Sequence, residues 1–123
     1  MVLLDRRKSI RTKAGKDTRA SVNIFNSNGY DSQQSYLIRG YVENIGPGGM
    51  LLKTHEFIPV PAKADMIINF DSKHNSSEYS LNASGETVRI TDDGVGIKFT
   101  SIDLAKLQKC IIHKINQDIT LII

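Results

Sequence analysis

The chain has 123 residues, of which 40% are hydrophobic and 24% are charged, and its net charge is +3. This composition is typical of one globular domain and excludes both a disordered chain and a two-domain protein. The net charge is too small for a protein that coats nucleic acid. A single cysteine excludes an internal disulfide. We expect a cytoplasmic protein without membrane insertion, because the N-terminus is charged and no apolar run is long enough to span a bilayer.

The positive charge is concentrated near the N-terminus. Residues 6–19 hold seven basic side chains and one acidic side chain, Asp17. The segment from Asp5 to Arg11 has little apolar surface to bury, so we expect residues 1–16 to form a flexible arm ahead of a domain at 17–123. Guanidinium groups are permanently charged donors that suit phosphate oxygens and the O6/N7 edge of guanine. The arm therefore indicates a site for an anion.

Short alternating runs between turn signals predict an all-β domain. Six strands are expected, at about 20–24, 36–43, 50–54, 66–70, 79–90 and 95–99. A bulge is expected near Gly85, polar loops at 26–34 and 71–77, and a hairpin at Asp93-Gly94. Six strands that return on themselves indicate a closed antiparallel β-barrel, because closure removes the free edges.

The periodicity changes after the sixth predicted strand. Thr100 or Ser101 is typical of a helix N-cap, with an acidic residue in the first turn. Apolar residues then recur at three- and four-residue steps, at Leu104, Leu107, Ile111, Ile115 and Ile119. We expect a C-terminal helix at about 101–119 whose apolar stripe packs against one barrel opening. The apolar run 119–123 either continues that stripe or offers a surface for a homodimer or a partner.

A glycine-dense turn, Asn44-Ile45-Gly46-Pro47-Gly48-Gly49, joins the second and third predicted strands. Glycines let a ligand approach bare backbone N–H groups, so the turn and the arginine segment together describe a site for an anionic, guanine-like ligand. The same turn is also an ordinary β-turn sequence, and an arginine-rich arm can be a solvated terminus. No nucleophile–base set or metal-ligand spacing stands out, so we expect neither an enzyme nor a metal or cofactor site.

These segments resemble the two motifs of the PilZ domain family. Arg7-Lys8-Ser9-Ile10-Arg11 matches the family's Arg-x-x-x-Arg segment, and Arg6 matches the arginine often found directly before it. The glycine turn resembles Asp/Asn-x-Ser-x-x-Gly, with Gly46 in place of the serine. The segments 85–89 and 94–99 look like the family's closing strand pair. The resemblance covers nearly the whole chain and implies a six-stranded antiparallel barrel with a C-terminal helix.

The resemblance also implies binding of cyclic di-GMP, a cyclic dinucleotide with two phosphates and two guanines. The implied ligand-binding residues are Arg6, Arg7, Arg11, Asn44, Gly46 and Gly49. Loss of the serine hydroxyl at Gly46 is expected to weaken binding by about two- to twelvefold. The implied role is a receptor that changes its surface on binding and regulates motility, adhesion or exopolysaccharide output through a downstream protein partner.

Three other functions are compatible with the sequence. The first is a ligand-free adaptor of the same fold. The second is a small barrel that binds single-stranded nucleic acid, which the modest net charge and the scattered tyrosines disfavour. The third is an enzyme such as a flavin-binding split barrel, although no residue pattern requires a cofactor.

Overall fold

The structure, a computed structural model, describes residues 12–13, 18–25, 35–71 and 77–122, with side chains described at 18–25, 35–71 and 77–116. Within these residues one antiparallel sheet contains β1 (Thr12–Lys13), β2 (Arg19–Phe25), β3 (Ser35–Gly46), β4 (Gly49–Lys53), β5 (Ala62–Asn69), β6 (Ser80–Ile90) and β7 (Gly94–Ile102). Strands β2 to β7 close into a barrel in the order β3-β2-β5-β6-β7-β4, because β4 pairs with β3 as well as with β7. The predicted six-stranded antiparallel barrel is confirmed, and β1 is a two-residue addition beside β3.

Strict alternation of side chains sends one face of each strand into the barrel. In β2 the inward residues Ala20, Val22 and Ile24 are fully buried, and β5 buries every second residue from Ala62 to Ile68. Burial of apolar surface contributes roughly 25 cal/mol per Å², so burial of these inward side chains stabilises the closed barrel. The same alternation fixes which residues face outward and can meet a ligand.

The second predicted strand is longer than expected. Asn44 belongs to β3 instead of the glycine turn, because β3 continues to Gly46. Asn44 and Ile45 have pairing partners on both sides, in β1 and in β4, so interstrand hydrogen bonds keep them extended. The turn is thereby reduced to Pro47 and Gly48.

The β6–β7 hairpin has a different turn from the predicted Asp93-Gly94. Its central residues are Asp92 and Asp93, and Gly94 is the first residue of β7. The backbone N–H of Thr91 donates to the carbonyl of Gly94 at 2.9 Å, and the Gly94 N–H donates to Thr91 Oγ1 at 3.0 Å. The predicted irregularity near Gly85 is confirmed, since the register shifts between residues 84 and 85.

The C-terminal helix α1 (Leu104–Ile122) begins three residues later than predicted. Neither Thr100 nor Ser101 is the N-cap, because β7 continues through Ile102 and pairs with β6. Asp103 caps the helix, and its Oδ1 accepts a hydrogen bond from the N–H three residues later at 3.1 Å. Pairing of β7 with β6 therefore keeps Ser101 in a strand, although its sequence context is typical of a helix N-cap.

The buried stripe of α1 is also shifted from the predicted one. Leu107 and Cys110 are fully buried, whereas Leu104, the first residue of the predicted stripe, is 56% exposed. Burial raises the pKa of the Cys110 thiol above its ordinary value. The stripe that packs on the barrel thus begins one turn into the helix.

A three-residue contact fastens α1 to the end of the barrel. The ring of His113 stacks on that of Tyr79 with centroids 3.5 Å apart and planes 6° apart. His113 Nε2 lies 3.3 Å from Asp71 Oδ2. Tyr79 lies in the 3₁₀ turn Ser77–Tyr79 that precedes β6, so the helix is held at the start of that strand.

Some predicted features lie outside the described residues. These are the loop at 26–34, most of the loop at 71–77, and the arm at 1–16 apart from the backbone of β1. Among the residues described, no helix is long and apolar enough to cross a membrane.

Candidate functional site

The glycine turn connects β3 to β4 and is fixed against β7. Gly46 pairs with Gly49 across the hairpin, with Pro47 and Gly48 between them. The carbonyl oxygen of Gly48 accepts a hydrogen bond from the N–H of Phe99 at 2.9 Å. These contacts fix the position of the turn relative to β3, β4 and β7.

Two adjacent glycines in this turn serve different purposes. A Cβ at Gly49 would overlap the carbonyl oxygen of Ile97 on β7, so the close approach of these two strands requires glycine there. A Cβ at Gly48 would have nothing within 4 Å. Gly49 is thus required by the fold, whereas Gly48 borders open space in front of the barrel.

Strand register places the predicted residue Asn44 in a row with residues from three other strands. Asn44 pairs with Leu51, Leu51 with Gly96, and Gly96 with Arg89. Asn44 is half-buried and adjoins the core residue Ile45, so alternation turns it to the outer face of the barrel. Neighbouring strands lie about 4.8 Å apart, so the Asn44 and Arg89 backbones are roughly 14 Å apart along this row.

A second row lies beside the first on the same outer face. It contains Gly46, Gly49, Lys98 and Glu86, each paired with the next. Gly96 in the first row and Gly46 and Gly49 in the second have no side chains to fill the surface. The result is a trough over β3, β4 and β7 with basic residues on its β6–β7 side.

This trough is a cleft of about 320 Å³. It is lined by Gly46, Gly48, Gly49, Met50, Val88, Arg89, Gly96, Ile97 and Lys98. Its volume is at the lower end of the range of about 300–1,000 Å³ for small-molecule sites. Both charged lining residues, Arg89 and Lys98, are basic. The cleft is therefore suited to an anion of nucleotide size or to part of a larger one.

No ion pair between described residues engages either of the two cleft cations, Arg89 and Lys98. The ion pairs between described residues join Lys109 to Glu78 and His113 to Asp71, at the other end of the barrel. Lys109 and Glu78 neutralise each other, whereas the positive charges of Arg89 and Lys98 are not neutralised by an ion pair among the described residues.

The sequence did not identify Arg89 and Lys98 as site residues. Each occupies an outward position in an alternating strand, which is the pattern of an ordinary solvated surface. Only the pairing of β7 with β4 brings them to the glycine turn, which is about forty residues earlier in the chain. Alternation along the strand shows that Arg89 and Lys98 point outward, but it does not show that they lie beside the glycine turn.

The predicted site residues fall into two groups. Asn44, Gly46 and Gly49 lie together on one outer face, with the two glycines lining the cleft and Asn44 at its edge. Arg6, Arg7 and Arg11 lie outside the described residues. The backbone that directly follows them is described, because Thr12 pairs with Ile45 and Lys13 pairs with Asn44. Strand β1 therefore places the backbone of Thr12 and Lys13, which follow the arginine segment, beside the second motif.

A second concave surface lies on β2, β5, β6 and β7. It has a volume of about 640 Å³, and the charged residues in its described lining are Asp65 and Asp103. Ser84 Oγ donates to Asp65 Oδ1 at 2.8 Å, and Asp103 caps α1, so these carboxylates already have partners. This groove is acidic and does not suit an anion. Within the described residues, no group of His, Cys, Asp and Glu side chains could hold a metal ion.

Comparisons with known proteins agree with the motifs. No curated protein sequence matches the chain. The family model of the PilZ domain matches residues 5–117, which include both motifs, the barrel and most of α1. PilZ domains are binding and adaptor modules, and the family binds cyclic di-GMP. The chain belongs to the PilZ domain family.

Proposed function

We propose that this chain is a receptor for cyclic di-GMP, which it binds between the arginine segment and the glycine-lined cleft. The observation that supports this most directly is the pairing of β1 with β3. It joins the residue after Arg11 to the strand that contains Asn44. Thr12 and Lys13, which directly follow the first motif, thereby pair with Ile45 and Asn44 of the second motif, about thirty residues later in the sequence.

Chain length is sufficient for the arginine segment to reach across that cleft. Arg11 directly precedes β1, and Arg7 lies four residues earlier. Four residues span at most about 14 Å when extended. That reach is about three strand spacings, which is the separation of β1 from β7 along β1-β3-β4-β7, so a ligand in the cleft is within range of Arg6, Arg7 and Arg11.

The chemistry of these groups fits the ligand. Guanidinium groups form bidentate, charge-assisted hydrogen bonds with phosphate and with guanine O6/N7. Asn44 has an amide that can both donate to and accept from a guanine edge. Gly46, Gly48 and Gly49 leave the backbone open to close approach. No step of this proposal requires catalysis.

Binding is proposed to act as a switch. When the arginine segment closes over the ligand, it changes the shape and charge of the outer face near Asn44, and a protein partner reads that change. We propose that this switch regulates motility, adhesion or exopolysaccharide output. Amide hydrogen exchange of residues 5–16 tests the switch: we expect slower exchange on saturation, and unchanged exchange would contradict it.

Isothermal calorimetry with cyclic di-GMP tests the receptor function itself. We expect saturable binding, with chemical-shift changes at Asn44 and in the glycine turn. GMP provides a control, because it has one guanine and cannot bridge the two sides. Absence of heat, together with unchanged shifts at Asn44, would favour the ligand-free adaptor instead.

A further inference from the structure

The side chain of Arg89 is held in a defined position on the cleft wall. Arg89 on β6 pairs with Gly96 on β7. A Cβ built on Gly96 would lie 3.0 Å from Arg89 Cγ, 3.1 Å from Nε and 3.6 Å from Cδ. The arginine side chain therefore runs across the surface that Gly96 leaves bare.

This path directs the guanidinium toward the ligand cleft. Gly96 lies between Arg89 on one side and Leu51 of β4 on the other. A side chain that starts on β6 and crosses Gly96 extends toward β4, where the cleft and the second motif lie. Arg89 is exposed, and no ion pair between described residues engages it.

Lys98 gives the same wall a second cation. Lys98 follows two residues after Gly96, so it shares the outer face, and it also lines the cleft. Its register partner Glu86 is the nearest acidic residue across the strands but is not part of the lining. A lysine ammonium suits phosphate as a point charge, so the pair of cations indicates phosphate recognition in preference to a guanine edge.

We infer that Arg89 donates to a phosphate of the cyclic dinucleotide from the β6–β7 wall of the cleft, and that Gly96, which has no side chain, leaves the surface on which the Arg89 side chain lies. This inference rests on the proposed function and names its second anion-binding side. A cyclic dinucleotide has two phosphates, so cations on both sides of the cleft can engage it at the same time. Arg89 is then a ligand-contacting residue, and Gly96 is a positioning residue.

The first test compares Arg89→Ala with Arg39→Ala by calorimetry with cyclic di-GMP. Arg39 is a matched control, because it is an exposed arginine on β3 that pairs with Ser21 and does not line the cleft. We expect about a tenfold loss of affinity for Arg89→Ala, and wild-type affinity for Arg39→Ala. Thermal melting of both variants should match the wild type, since both side chains are exposed.

Salt dependence distinguishes phosphate from guanine. A phosphate contact joins two ions and is screened by salt, whereas guanine is neutral. We expect the affinity difference between wild type and Arg89→Ala to shrink as sodium chloride is raised from 50 to 300 mM, for example to about threefold. A difference that stays constant with salt would overturn the phosphate assignment.

Gly96→Ala tests the positioning role. The added methyl group meets the flexible arginine side chain, which can move aside, so we expect unchanged melting and about a threefold loss of affinity. If the methyl group acts by displacing the Arg89 side chain, the same substitution in the Arg89→Ala background should have no further effect. An equal loss in both backgrounds would overturn this role.

The outcomes separate the inference from the proposed function. If the wild type binds and Arg89→Ala binds equally well, the inference fails and the receptor function stands. If the wild type does not bind cyclic di-GMP, both are overturned, because the phosphate that Arg89 would contact is absent.

Discussion

The two concave surfaces of this barrel differ in size and in charge, and the charge of the smaller one suits an anion. The groove on β2, β5, β6 and β7 has about 640 Å³, twice the 320 Å³ of the cleft at the glycine turn. The charged residues that line the groove are Asp65 and Asp103, whereas those that line the cleft are Arg89 and Lys98. Volume alone would favour the groove, but an anion is repelled by its carboxylates. Charge therefore selects the cleft.

The two surfaces also differ in how their polar groups are satisfied. In the groove, serine and carboxylate side chains hydrogen-bond to one another or to the helix start. In the cleft, glycines replace side chains and no ion pair between described residues engages the cations. A surface that satisfies its own polar groups has little to offer a ligand, while the cleft keeps donors and charge available.

The largest expected effect comes from the arginine segment. Arg7→Ala and Arg11→Ala should each weaken cyclic di-GMP binding by about ten- to a hundredfold, since each removes hydrogen bonds to a charged or guanine acceptor. Calorimetry measures the effect, with Arg39→Ala as the control on the same barrel. Wild-type affinity in both variants would contradict the proposal that the ligand binds at the arginine segment and the glycine-lined cleft.

The second prediction separates adjacent glycines of the cleft. Gly49→Ala should destabilise the fold by about 1–3 kcal/mol, because its methyl group would overlap the Ile97 carbonyl. Gly48→Ala should leave stability unchanged and weaken ligand binding, because its methyl group projects into open space bordering the cleft. Urea denaturation and calorimetry on both variants measure the two effects. Equal stability of the two variants would contradict the close approach of β4 and β7.

A smaller effect is expected at the position where this chain departs from the family motif. Gly46→Ser restores the missing hydroxyl, and we expect affinity to be unchanged or to rise by up to about twelvefold. The titration is the same as for the arginine variants. A clearly weaker complex would mean that the second motif has been aligned one or more residues out of place.

The smallest effect is expected in the groove. Asp65→Asn keeps an oxygen that can accept from Ser84 Oγ, so stability should change little. Affinity for cyclic di-GMP should equal that of the wild type. If the ligand used the groove, removing a carboxylate would tighten binding, and that result would reverse the comparison between the two surfaces.

Local patterns in the sequence were sufficient for the barrel and for the glycine turn that lines the cleft. Period-two alternation in residues such as Ala20, Val22 and Ile24 predicted strands, since inward and outward positions must alternate along any half-buried strand. The turn from Gly46 to Gly49 was identified from its glycines alone. The helix start was wrong because Ser101 is a plausible cap locally, whereas pairing with β6 keeps it in a strand.

The sequence by itself determined the alternation, the glycine turn and the concentration of basic residues near the N-terminus, because these depend on neighbours a few residues apart. Only the tertiary structure decided that β7 lies against β4, that Arg89 and Lys98 face the glycine turn, and that β1 pairs Thr12 with Ile45 and Lys13 with Asn44. The physical reason is barrel closure. Hydrogen bonds between strands distant in sequence set the register, and register fixes which outward side chains share a surface.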